Sequence, residues 1–347
     1  MTHPLVLFDL FVSAIVLISA AIMTGMIRAY AIQRSLLDIP NHRSSHIVPT
    51  PKGGGLAIAV SFLFGLLVYS GWNRLDSFVL WPLALGGLMV ATVGLVDDYR
   101  GHVEPGWRIL VHCLAVCSGL YWLGGLPGSV VAWMPFPGIV VNILAVFSLV
   151  WLVNLFNFMD GIDGLAAMEA VSVSLAAALI LSWRMGLGQA VAGLLVLFAG
   201  ACLGFLIWNW PPAKIFMGDV GSGFLGYVIG MMAVLSLKSG AMPLSAWLIL
   251  LAAFLVDATV TLAARMIRGE RWYEAHCTHA YQSAARRYRS HKRVTVGVLA
   301  INVLWLFPLA ILATARPQLG WLLVSVAWAP LVVLVLRERS LATGNAV

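Results

Sequence analysis

Five aspartates lie next to the ends of apolar runs, in positions where carboxylates could do chemistry. Two of them, Asp160 and Asp163, are each followed by glycine in the segment FNFMDGIDGL, and the others are Asp97, Asp98 and Asp219. A single aspartate in such a place most often caps a helix or faces water. Five gathered at one face of a protein would repel one another, so we expect a cation to offset them, and a divalent metal is the economical candidate.

The elements that must position these aspartates are helices that cross a membrane. The chain of 347 residues is 61% hydrophobic and 10% charged, with a mean hydropathy of +0.94. Apolar runs of about 20 residues, the length that spans a hydrocarbon core, recur along nearly the whole sequence. We predict an all-α polytopic integral membrane protein, a single domain over residues 1–347. Eleven spans are predicted, at residues 5–27, 53–72, 77–96, 107–125, 137–156, 165–183, 189–208, 221–237, 243–264, 295–314 and 319–336.

The basic residues predict the orientation of these spans. With the N-terminus on the periplasmic side, 17 of the 21 Lys and Arg fall on the opposite side, which the positive-inside rule makes the cytoplasm. The C-terminus is then cytoplasmic, and all five aspartates face the cytoplasm. The predicted cytoplasmic loops are residues 28–52, 97–108, 157–164, 209–220 and 265–294.

Neither the charge nor the cysteines indicate a nucleic-acid-binding protein or a disulfide-stabilised protein. The net charge of +7 follows mostly from the orientation signal, and binding anionic lipid or phosphate is a second use for it. No RNA- or DNA-binding motif is present, so nucleic-acid binding is not predicted. Three of the four cysteines fall in predicted spans and one in a cytoplasmic loop, which does not indicate a disulfide framework.

The first aspartate pair, Asp97 and Asp98, ends the third predicted span in GLVDDYR. Neighbouring helical residues point about 100° apart, so these carboxylates cannot face one pocket in the same way. One could face the reaction centre while the other orients a lysine or a metal-bound water.

A polar stripe leads into the second aspartate pair. Asn154, Asn157 and Asp160 are spaced by three residues, which on a helix predicts one polar face toward the bundle interior. Asp163 is predicted to be the N-cap of the next span, where a helix N-terminus suits phosphate. The alternative, an Asp-Gly turn between two spans, explains the glycines but not the asparagines.

The segment NWPPAKIFMGDVGSGFLGY (209–227) combines a cation, an aromatic ring and a glycine-rich helix start. Lys214 supplies the charge, Phe216 could present its face to a nucleotide base, and the amides after Asp219 could hold an anion. The first cytoplasmic loop has the same character, since cationic side chains precede a run of glycines: His42, Arg43, His46, Lys52 and then Gly53 to Gly55.

The longest cytoplasmic loop contains His276 and His279, followed by a basic stretch. Imidazoles and guanidiniums there could contact a diphosphate. Two alternatives stay open. His276, Cys277 and His279 could bind zinc, although three ligands within four residues give poor geometry for one ion. The loop could also be a plain positive-inside segment with incidental histidines.

Four motifs in this order, VDDYR, NFMDGIDGLA, PPAKIFMGDVGS and the late histidine loop, resemble the polyprenyl-phosphate N-acetylhexosamine-1-phosphate transferases, the superfamily of MraY and WecA. The resemblance covers nearly the whole chain. The loop LDIPNHRSSHIVPTPKGGG is most similar to the WbpL-type branch, which starts O-antigen or related surface polysaccharides. MraY-type members carry a run of histidines where this chain has His276-Cys-Thr-His279, which argues against a peptidoglycan-precursor substrate.

The resemblance implies transfer of a HexNAc-1-phosphate from a UDP-sugar to undecaprenyl phosphate, with release of UMP, at the cytoplasmic face of the bacterial inner membrane. It implies Mg²⁺, with Mn²⁺ as a substitute, and a homodimer by analogy alone. Whether Asn154 or Asn157 touches the metal stays open, as does whether Asp97 is a base or positions the lipid phosphate. The motifs and the resemblance together predict catalytic Asp97, Asp98, Asp160 and Asp163, metal-binding Asn154 and Asp219, and substrate-binding Lys52, Asn157, Asn209, Lys214, Phe216, His276 and His279.

Two rival classes predict other patterns. A transporter needs acidic residues near the bilayer midplane and an inverted repeat. Asp257, inside the ninth predicted span, is the one residue that fits this class, and it could instead satisfy a neighbouring helix. A non-catalytic scaffold leaves the five clustered aspartates unexplained, so the sequence favours a transferase.

Overall fold

The computed structural model of the chain describes residues 2–40, 48–101, 103–133, 135–270 and 277–344. Helices dominate it, because backbone groups in a lipid environment must form their hydrogen bonds within the segment itself. The α-helices are α1 Thr2–Gln33, α2 Gly55–Gly71, α3 Ser77–Trp81, α4 Gly87–Arg100, α5 Pro105–Trp122, α6 Gly128–Trp133, α7 Gly138–Phe158, α8 Leu165–Met185, α9 Ala190–Asn209, α10 Asp219–Lys238, α11 Leu244–Leu250, α12 Ala252–Ile267, α13 Ala280–Tyr288, α14 His291–Ile301, α15 Phe307–Ala315 and α16 Gly320–Gly344. Short π-helical segments, Pro82–Gly86 and Asn302–Leu306, join α3 to α4 and α14 to α15, and a 3-10 turn, Pro317–Leu319, precedes α16.

Eight helical stretches of the described chain are long and apolar enough to cross a membrane. They are Pro4–Gln33, Ser77–Arg100, Gly138–Phe158, Leu165–Met185, Ala190–Asn209, Asp219–Lys238, His291–Ala315 and Pro317–Leu341. Helices α11 and α12 give a ninth if they are counted as one span. The prediction of an all-α polytopic membrane protein is confirmed, whereas the count of eleven spans and their orientation stay predictions.

Three predicted spans differ from those eight stretches. Helices α2 and α5 lie where the second and fourth spans are predicted, but neither has the length and hydropathy that the eight share. At the span predicted at residues 243–264 the helix is broken, because α11 and α12 are bent by 77° where they join, so whether they cross as one span stays a prediction. Near this break the indole N–H of Trp328 donates to the carbonyl oxygen of Leu248 at 3.0 Å. A side chain from another helix thus satisfies a carbonyl beside the irregular backbone, as an apolar environment requires.

A small antiparallel ribbon lies in the first predicted cytoplasmic loop. Its strands are β1, Leu37–Asp38, and β2, Thr50–Pro51, with Leu37 paired to Pro51 and Asp38 to Thr50. The backbone N–H of Phe216 donates to the carbonyl of Pro51 at 2.8 Å, and the N–H of Gly54 donates to the carbonyl of Phe216 at 2.9 Å. The two loops are therefore joined, and this places Lys52 beside the start of α10.

Helix α10 lies at the centre of the bundle and packs against α2, α4 and α7. Glycines permit the approach at its first turn. A Cβ on Gly55 of α2 would lie 2.3 Å from the Cα of Gly221, and one on Gly94 of α4 would lie 2.4 Å from the carbonyl oxygen of Asp219. Only residues without a side chain fit at these contacts. The ends of three helices therefore meet at Asp219.

Candidate active site

The N-terminus of α10 is capped by a carboxylate from another helix. Asp98 of α4 accepts hydrogen bonds at 3.0 Å from the backbone N–H groups of both Asp219 and Val220. The Nζ of Lys52 lies 2.8 Å from the same carboxylate. A helix N-terminus carries partial positive charge, which favours an anion at this position. The prediction that one residue of the DD pair orients a lysine agrees with this contact.

Gly218 allows this cap to form. Its φ of 77° is in the left-handed region, and a Cβ there would lie 2.4 Å from Asp98 Oδ2. Any other residue would strain the backbone and displace the carboxylate. The glycine of the FMGD segment thus has a specific role in bringing Asp98 against the helix.

The side chain of Asp219 is held from two sides. Its Oδ1 accepts a hydrogen bond from Asn157 Nδ2 at 2.9 Å, and its Oδ2 lies 2.8 Å from Arg108 Nη1. Arg108 also lies 3.0 Å from Asp97 Oδ2, and the N–H of Val103 donates to the other Asp97 oxygen at 2.6 Å. Arg108 therefore bridges two of the predicted carboxylates, and it is a site residue that the sequence analysis did not single out.

A cavity of about 250 Å³ opens beside this group. Its lining combines carboxylates, cations and amides with one aromatic ring. The lining residues are Asp38, Lys52, Asn157, Asp160, Gly161, Ile162, Asp163, Asn209, Phe216, Met217, Gly218, Asp219, Ser222, Gln282 and His291. The structure thus brings seven of the predicted site residues to one cavity. Asp97 and Asp98 are not in its lining; Asp97 contacts Arg108, and Asp98 contacts the N-terminus of α10.

Asp160 is the least compensated carboxylate in the cavity. Within the described residues its side chain has no hydrogen-bond or ion-pair partner, in contrast to Asp98, Asp163 and Asp219. Burial raises the pKa of Asp160 well above its usual range, and the negative charges of Asp219 and Asp98 raise it further. A cation bound here would relieve this repulsion.

Lys52 supplies positive charge to the same cavity. Burial alone would lower the pKa of Lys52, but attraction by Asp98, with smaller contributions from Asp219 and Asp38, raises it overall. The ammonium therefore stays charged at neutral pH. An anionic ligand in the cavity would meet this ammonium, whereas the backbone N–H groups of residues 219–222 already donate to Asp98 and to the carbonyl of Gly218.

Asp163 pairs with a histidine that also lines the cavity. His291 Nδ1 lies 3.1 Å from Asp163 Oδ1, and the backbone N–H of Ala213 donates to Asp163 Oδ2 at 3.0 Å. The prediction that Asp163 is the N-cap of α8 is wrong, since Gly164 is the N-cap and no side chain caps that helix. The carboxylate instead connects the loop before α8 to α14.

Three predicted site residues have other contacts. Lys214 is exposed, with its Nζ 5.7 Å from the centroid of the Trp208 ring, and it is not in the cavity lining. Asn154 donates to the carbonyl of Val150 at 2.8 Å and lies 3.4 Å from His112, so it does not reach Asp219. Asn209 lines the cavity but is buried. Its amide accepts from the N–H of Gly164 and donates to the carbonyl of Ile215, each at 2.9 Å.

The two histidines of the late loop have different outcomes. His276 lies outside the described residues. His279 is buried, its Nδ1 is 3.3 Å from Asp257 Oδ1, and it does not line the cavity. Asp257 also accepts the backbone N–H groups of Ala280 at 3.0 Å and Tyr281 at 2.9 Å. Asp257 thus satisfies a neighbouring helix, α13, which removes the feature that favoured a transporter.

Sequence analysis missed Arg108, Gln282 and His291. Arg108 is a basic residue at the start of an apolar helix, which by itself indicates only orientation. Gln282 and His291 fall within residues 265–294, which the sequence predicts to be one long loop and the structure folds in part into α13 and α14. Their position beside the loop of Asp160 and Asp163 is visible only in the fold.

The donor set suits a hard divalent cation that also binds substrate. Among the described residues, no three His, Cys, Asp or Glu side chains converge closely enough to hold a metal ion by themselves. Mg²⁺ is usually bound by one or two carboxylates together with water and substrate phosphate oxygens. The unpaired carboxylate of Asp160 and the carboxylate of Asp219 fit this pattern, with Asn157 as a neighbouring amide.

Comparison with known proteins agrees with this geometry. The sequence profile of glycosyl transferase family 4 matches residues 80–237, which include Asp97, Asp98, Asn157, Asp160, Asp163 and Asp219. A decaprenyl-phosphate N-acetylglucosaminephosphotransferase of Mycolicibacterium smegmatis is 30% identical over 340 residues, covering 83% of this chain and 80% of that protein. This chain belongs to the polyprenyl-phosphate N-acetylhexosamine-1-phosphate transferase family.

Other members of the transferase family are also similar to it. A probable undecaprenyl-phosphate N-acetylglucosaminyl 1-phosphate transferase of Bacillus subtilis is 26% identical over 310 residues, covering 86% of this chain and 83% of that protein. A phospho-N-acetylmuramoyl-pentapeptide-transferase of Moorella thermoacetica is 36% identical over 214 residues, covering 56% of this chain and 64% of that protein. The multi-pass, all-α architecture and the transferase class follow, and the similarity does not select the WbpL-type branch.

Proposed function

We propose that this transferase moves a HexNAc-1-phosphate from a UDP-sugar to undecaprenyl phosphate, with release of UMP. The observation that carries the proposal is the cavity itself: Asp160, Asp163 and Asp219 surround it together with Lys52 and the N-terminus of a buried helix. Such an arrangement binds phosphate oxygens through a divalent cation and an ammonium. The relatives named above support the reaction class.

The reaction is a displacement at phosphorus. An oxygen of the lipid phosphate forms a bond to the β-phosphorus of the UDP-sugar, and the bond from that phosphorus to the bridging oxygen breaks, so UMP leaves. Both reactants are anions, and catalysis then consists mainly of positioning them in line and neutralising their charge. A phosphomonoester has a second pKa of about 6 and is largely dianionic at neutral pH, so no strong general base is required.

Mg²⁺ fits the site, with Mn²⁺ as a substitute, and we assign Asp219 and Asp160 as its protein ligands. When bound it would neutralise phosphate oxygens of the donor and of the leaving UMP. Asn157 fixes one oxygen of Asp219, and Asp98 fixes its backbone. Asp219 is therefore oriented before substrate arrives.

The other cavity residues have roles toward the substrates. Lys52 brings an ammonium and His291 an imidazole to the cavity lining, and Phe216 offers an aromatic surface to the uracil base. Arg108 links Asp97 to Asp219 at 3.0 and 2.8 Å, so Asp97 acts through Arg108 on the position of the metal ligand. Of the two predicted roles of Asp97, a base or a group that positions the lipid phosphate, we propose the second, together with Arg108.

The donor sugar and the pathway are the finer part of the proposal. The M. smegmatis and B. subtilis relatives are named for transfer of GlcNAc phosphate, which makes UDP-GlcNAc the first donor to test. The similarity of residues 37–55 to the WbpL-type branch supports a role in starting O-antigen or a related surface polysaccharide. We place the reaction at the cytoplasmic face of the bacterial inner membrane, and a homodimer is an analogy with the family.

A donor panel tests the function. Purified protein in detergent is incubated with undecaprenyl phosphate, Mg²⁺ and UDP-GlcNAc, UDP-FucNAc, UDP-QuiNAc or UDP-MurNAc-pentapeptide, and UMP is measured. We expect UMP with at least one N-acetylhexosamine donor and none with the pentapeptide donor. Folded protein that releases no UMP from any donor would contradict the transferase, and activity with the pentapeptide donor alone would contradict the polysaccharide branch.

A further inference from the structure

A carboxyl group buried in the membrane-spanning part of the bundle lies outside the catalytic cavity. Glu169 of α8 is 1% exposed and Asn302, at the π-helical segment between α14 and α15, is 6% exposed. Asn302 Nδ2 donates to Glu169 Oε2 at 2.6 Å and to the hydroxyl oxygen of Ser172 at 2.9 Å. Two polar side chains therefore meet between helices, in surroundings where polar groups need partners.

Two acceptor atoms at this contact are left without a hydrogen. Glu169 Oε1 and Asn302 Oδ1 are both buried and have no hydrogen-bond partner. Ser172 already donates its hydroxyl to the carbonyl of Glu169 at 3.1 Å. Among the described residues, no lysine, arginine or histidine forms an ion pair with Glu169. An ionised carboxylate here would be an unpaired charge in an apolar region, which is costly.

One proton on Glu169 would remove the unpaired charge and supply the missing hydrogen-bond donor. An ionised carboxylate can only accept hydrogen bonds, whereas a protonated one has an O–H donor. A proton on Glu169 Oε1 removes the charge and supplies the donor that the amide oxygen of Asn302 lacks. The acid and the amide then form two reciprocal hydrogen bonds, in which each group donates once and accepts once.

We propose that Glu169 is a neutral carboxylic acid paired with Asn302, and that it is a positioning residue for the His291 side of the cavity. The second half rests on the proposed function. The helical stretch that contains Asn302 begins at His291, about three turns earlier. The same stretch contacts the loop before α8 through His291, 3.1 Å from Asp163 Oδ1, and through Thr295, whose hydroxyl donates to the Asp163 carbonyl at 2.9 Å.

The placement of these contacts explains why a neutral pair is used. Asp163 and Glu169 lie at and just after the start of α8, and both are bound by the α14 stretch. Apolar packing alone between two membrane helices allows sliding and rotation, because lipid is as apolar as the side chains. A reciprocal acid–amide pair fixes one register, and it thereby keeps His291 against Asp163.

Infrared difference spectroscopy of the full-length protein in detergent tests the protonation state. We expect a protonated-carboxyl C=O band that is present in the wild type and absent in Glu169→Gln. Asn302→Ala should shift the band, because the carbonyl of the acid loses its donor. A wild-type spectrum with no band assignable to Glu169 by these variants would overturn the proposal.

Matched variants test the pairing and the positioning. Glu169→Gln can form both reciprocal hydrogen bonds, so it should keep the wild-type thermal midpoint and should keep transferase activity within about twofold. Glu169→Leu leaves the Asn302 amide with Ser172 as its one partner among the described residues, so it should lower the thermal midpoint and reduce transferase activity by about tenfold or more. If Glu169 acts through His291, the double variant Glu169→Leu/His291→Ala should be no less active than His291→Ala alone.

Two outcomes would contradict the account. If Glu169→Gln is as defective as Glu169→Leu, the carboxylate charge is needed and the pair is not neutral. If the losses of the double variant multiply, Glu169 does not act through His291. The infrared band and the thermal midpoints do not depend on transferase activity, so they remain decisive even if the proposed reaction is wrong.

Discussion

Asp98 and Asp219 are joined through the backbone: the Asp98 carboxylate accepts the N–H groups of Asp219 and Val220, each at 3.0 Å. The side chain of one motif thus caps the helix on which the other motif begins. This contact couples the DD segment to the FMGD segment, and Asp98 does not line the cavity. Asp98 is accordingly a positioning residue for Asp219.

Replacing Asp98 by asparagine should weaken this cap. An amide has one acceptor atom and no charge, so it cannot accept both N–H groups as the carboxylate does. Loss of a helix cap costs about 1 kcal/mol, and we expect a lower thermal midpoint together with a loss of activity of about tenfold or more. Lys52→Gln is the stability control, because it keeps the cap, and its thermal midpoint should exceed that of Asp98→Asn. Equal midpoints for wild type and Asp98→Asn would argue against the cap.

The raised pKa of Asp160 predicts a specific pH dependence of metal binding. A carboxyl group is neutral below its pKa and can bind Mg²⁺ only when ionised. Burial and the neighbouring charges of Asp219 and Asp98 raise the pKa of Asp160, so protons compete with Mg²⁺ at higher pH than for an ordinary aspartate. The Mg²⁺ concentration for half-maximal activity should therefore fall as pH rises from about 5 to 8.

Asp160→Asn supplies the comparison for that measurement. The amide cannot ionise, so the variant should need more Mg²⁺ at every pH and should lose most of the pH dependence of its half-maximal concentration. A wild-type Mg²⁺ requirement that is flat over this range would show that Asp160 is not a ligand whose protonation competes with the metal.

Two lysines from neighbouring motifs should differ in effect. Lys52 lines the cavity and lies 2.8 Å from Asp98, whereas Lys214 is exposed beside Trp208. We expect Lys52→Ala to lower kcat/KM by about tenfold or more, since it removes a charged hydrogen bond, and Lys214→Ala to stay within about threefold of the wild type. A comparable loss in both variants would show that Lys214 reaches substrate during the reaction.

The sequence alone accounts for much of the fold and for the centre of the site. Apolar runs of sufficient length predict the helices, because hydrophobicity along the chain is a local property. Asn157, Asp160 and Asp219 converge as predicted, since all lie at one end of apolar helices. Asn154 shows the limit: it shares the stripe, but its amide bonds to Val150 one turn earlier in the helix.

Contacts between distant segments decide the rest. The burial of His279 depends on Asp257, which precedes it by 22 residues in the preceding helix α12, and the bridging role of Arg108 depends on α4 and α10 meeting at glycine contacts. No periodicity in the sequence encodes these approaches. Lys214 likewise lies beside Trp208 and outside the cavity lining, whereas its residue type alone led to the prediction that it binds substrate.

Histidines 279 and 291 should separate stability from activity. His279 is buried against Asp257, so His279→Ala removes a contact to a buried carboxylate and leaves a cavity, which costs about 1–3 kcal/mol and should lower the thermal midpoint. His291 is partly exposed in the cavity, so His291→Ala should keep the midpoint and lower kcat/KM by about tenfold. If His279→Ala is stable but inactive, its imidazole contacts substrate after all.

The most direct test follows the phosphorus atom. UDP-GlcNAc labelled at the β-phosphorus is incubated with undecaprenyl phosphate, Mg²⁺ and either the wild type or Asp219→Asn, and the label is measured in the lipid and aqueous phases. A HexNAc-1-phosphate transferase that depends on Asp219 should move the label into lipid, and the folded Asp219→Asn protein should not. Label that stays in nucleotide while the sugar reaches lipid, or transfer by Asp219→Asn at the wild-type rate, would contradict the account.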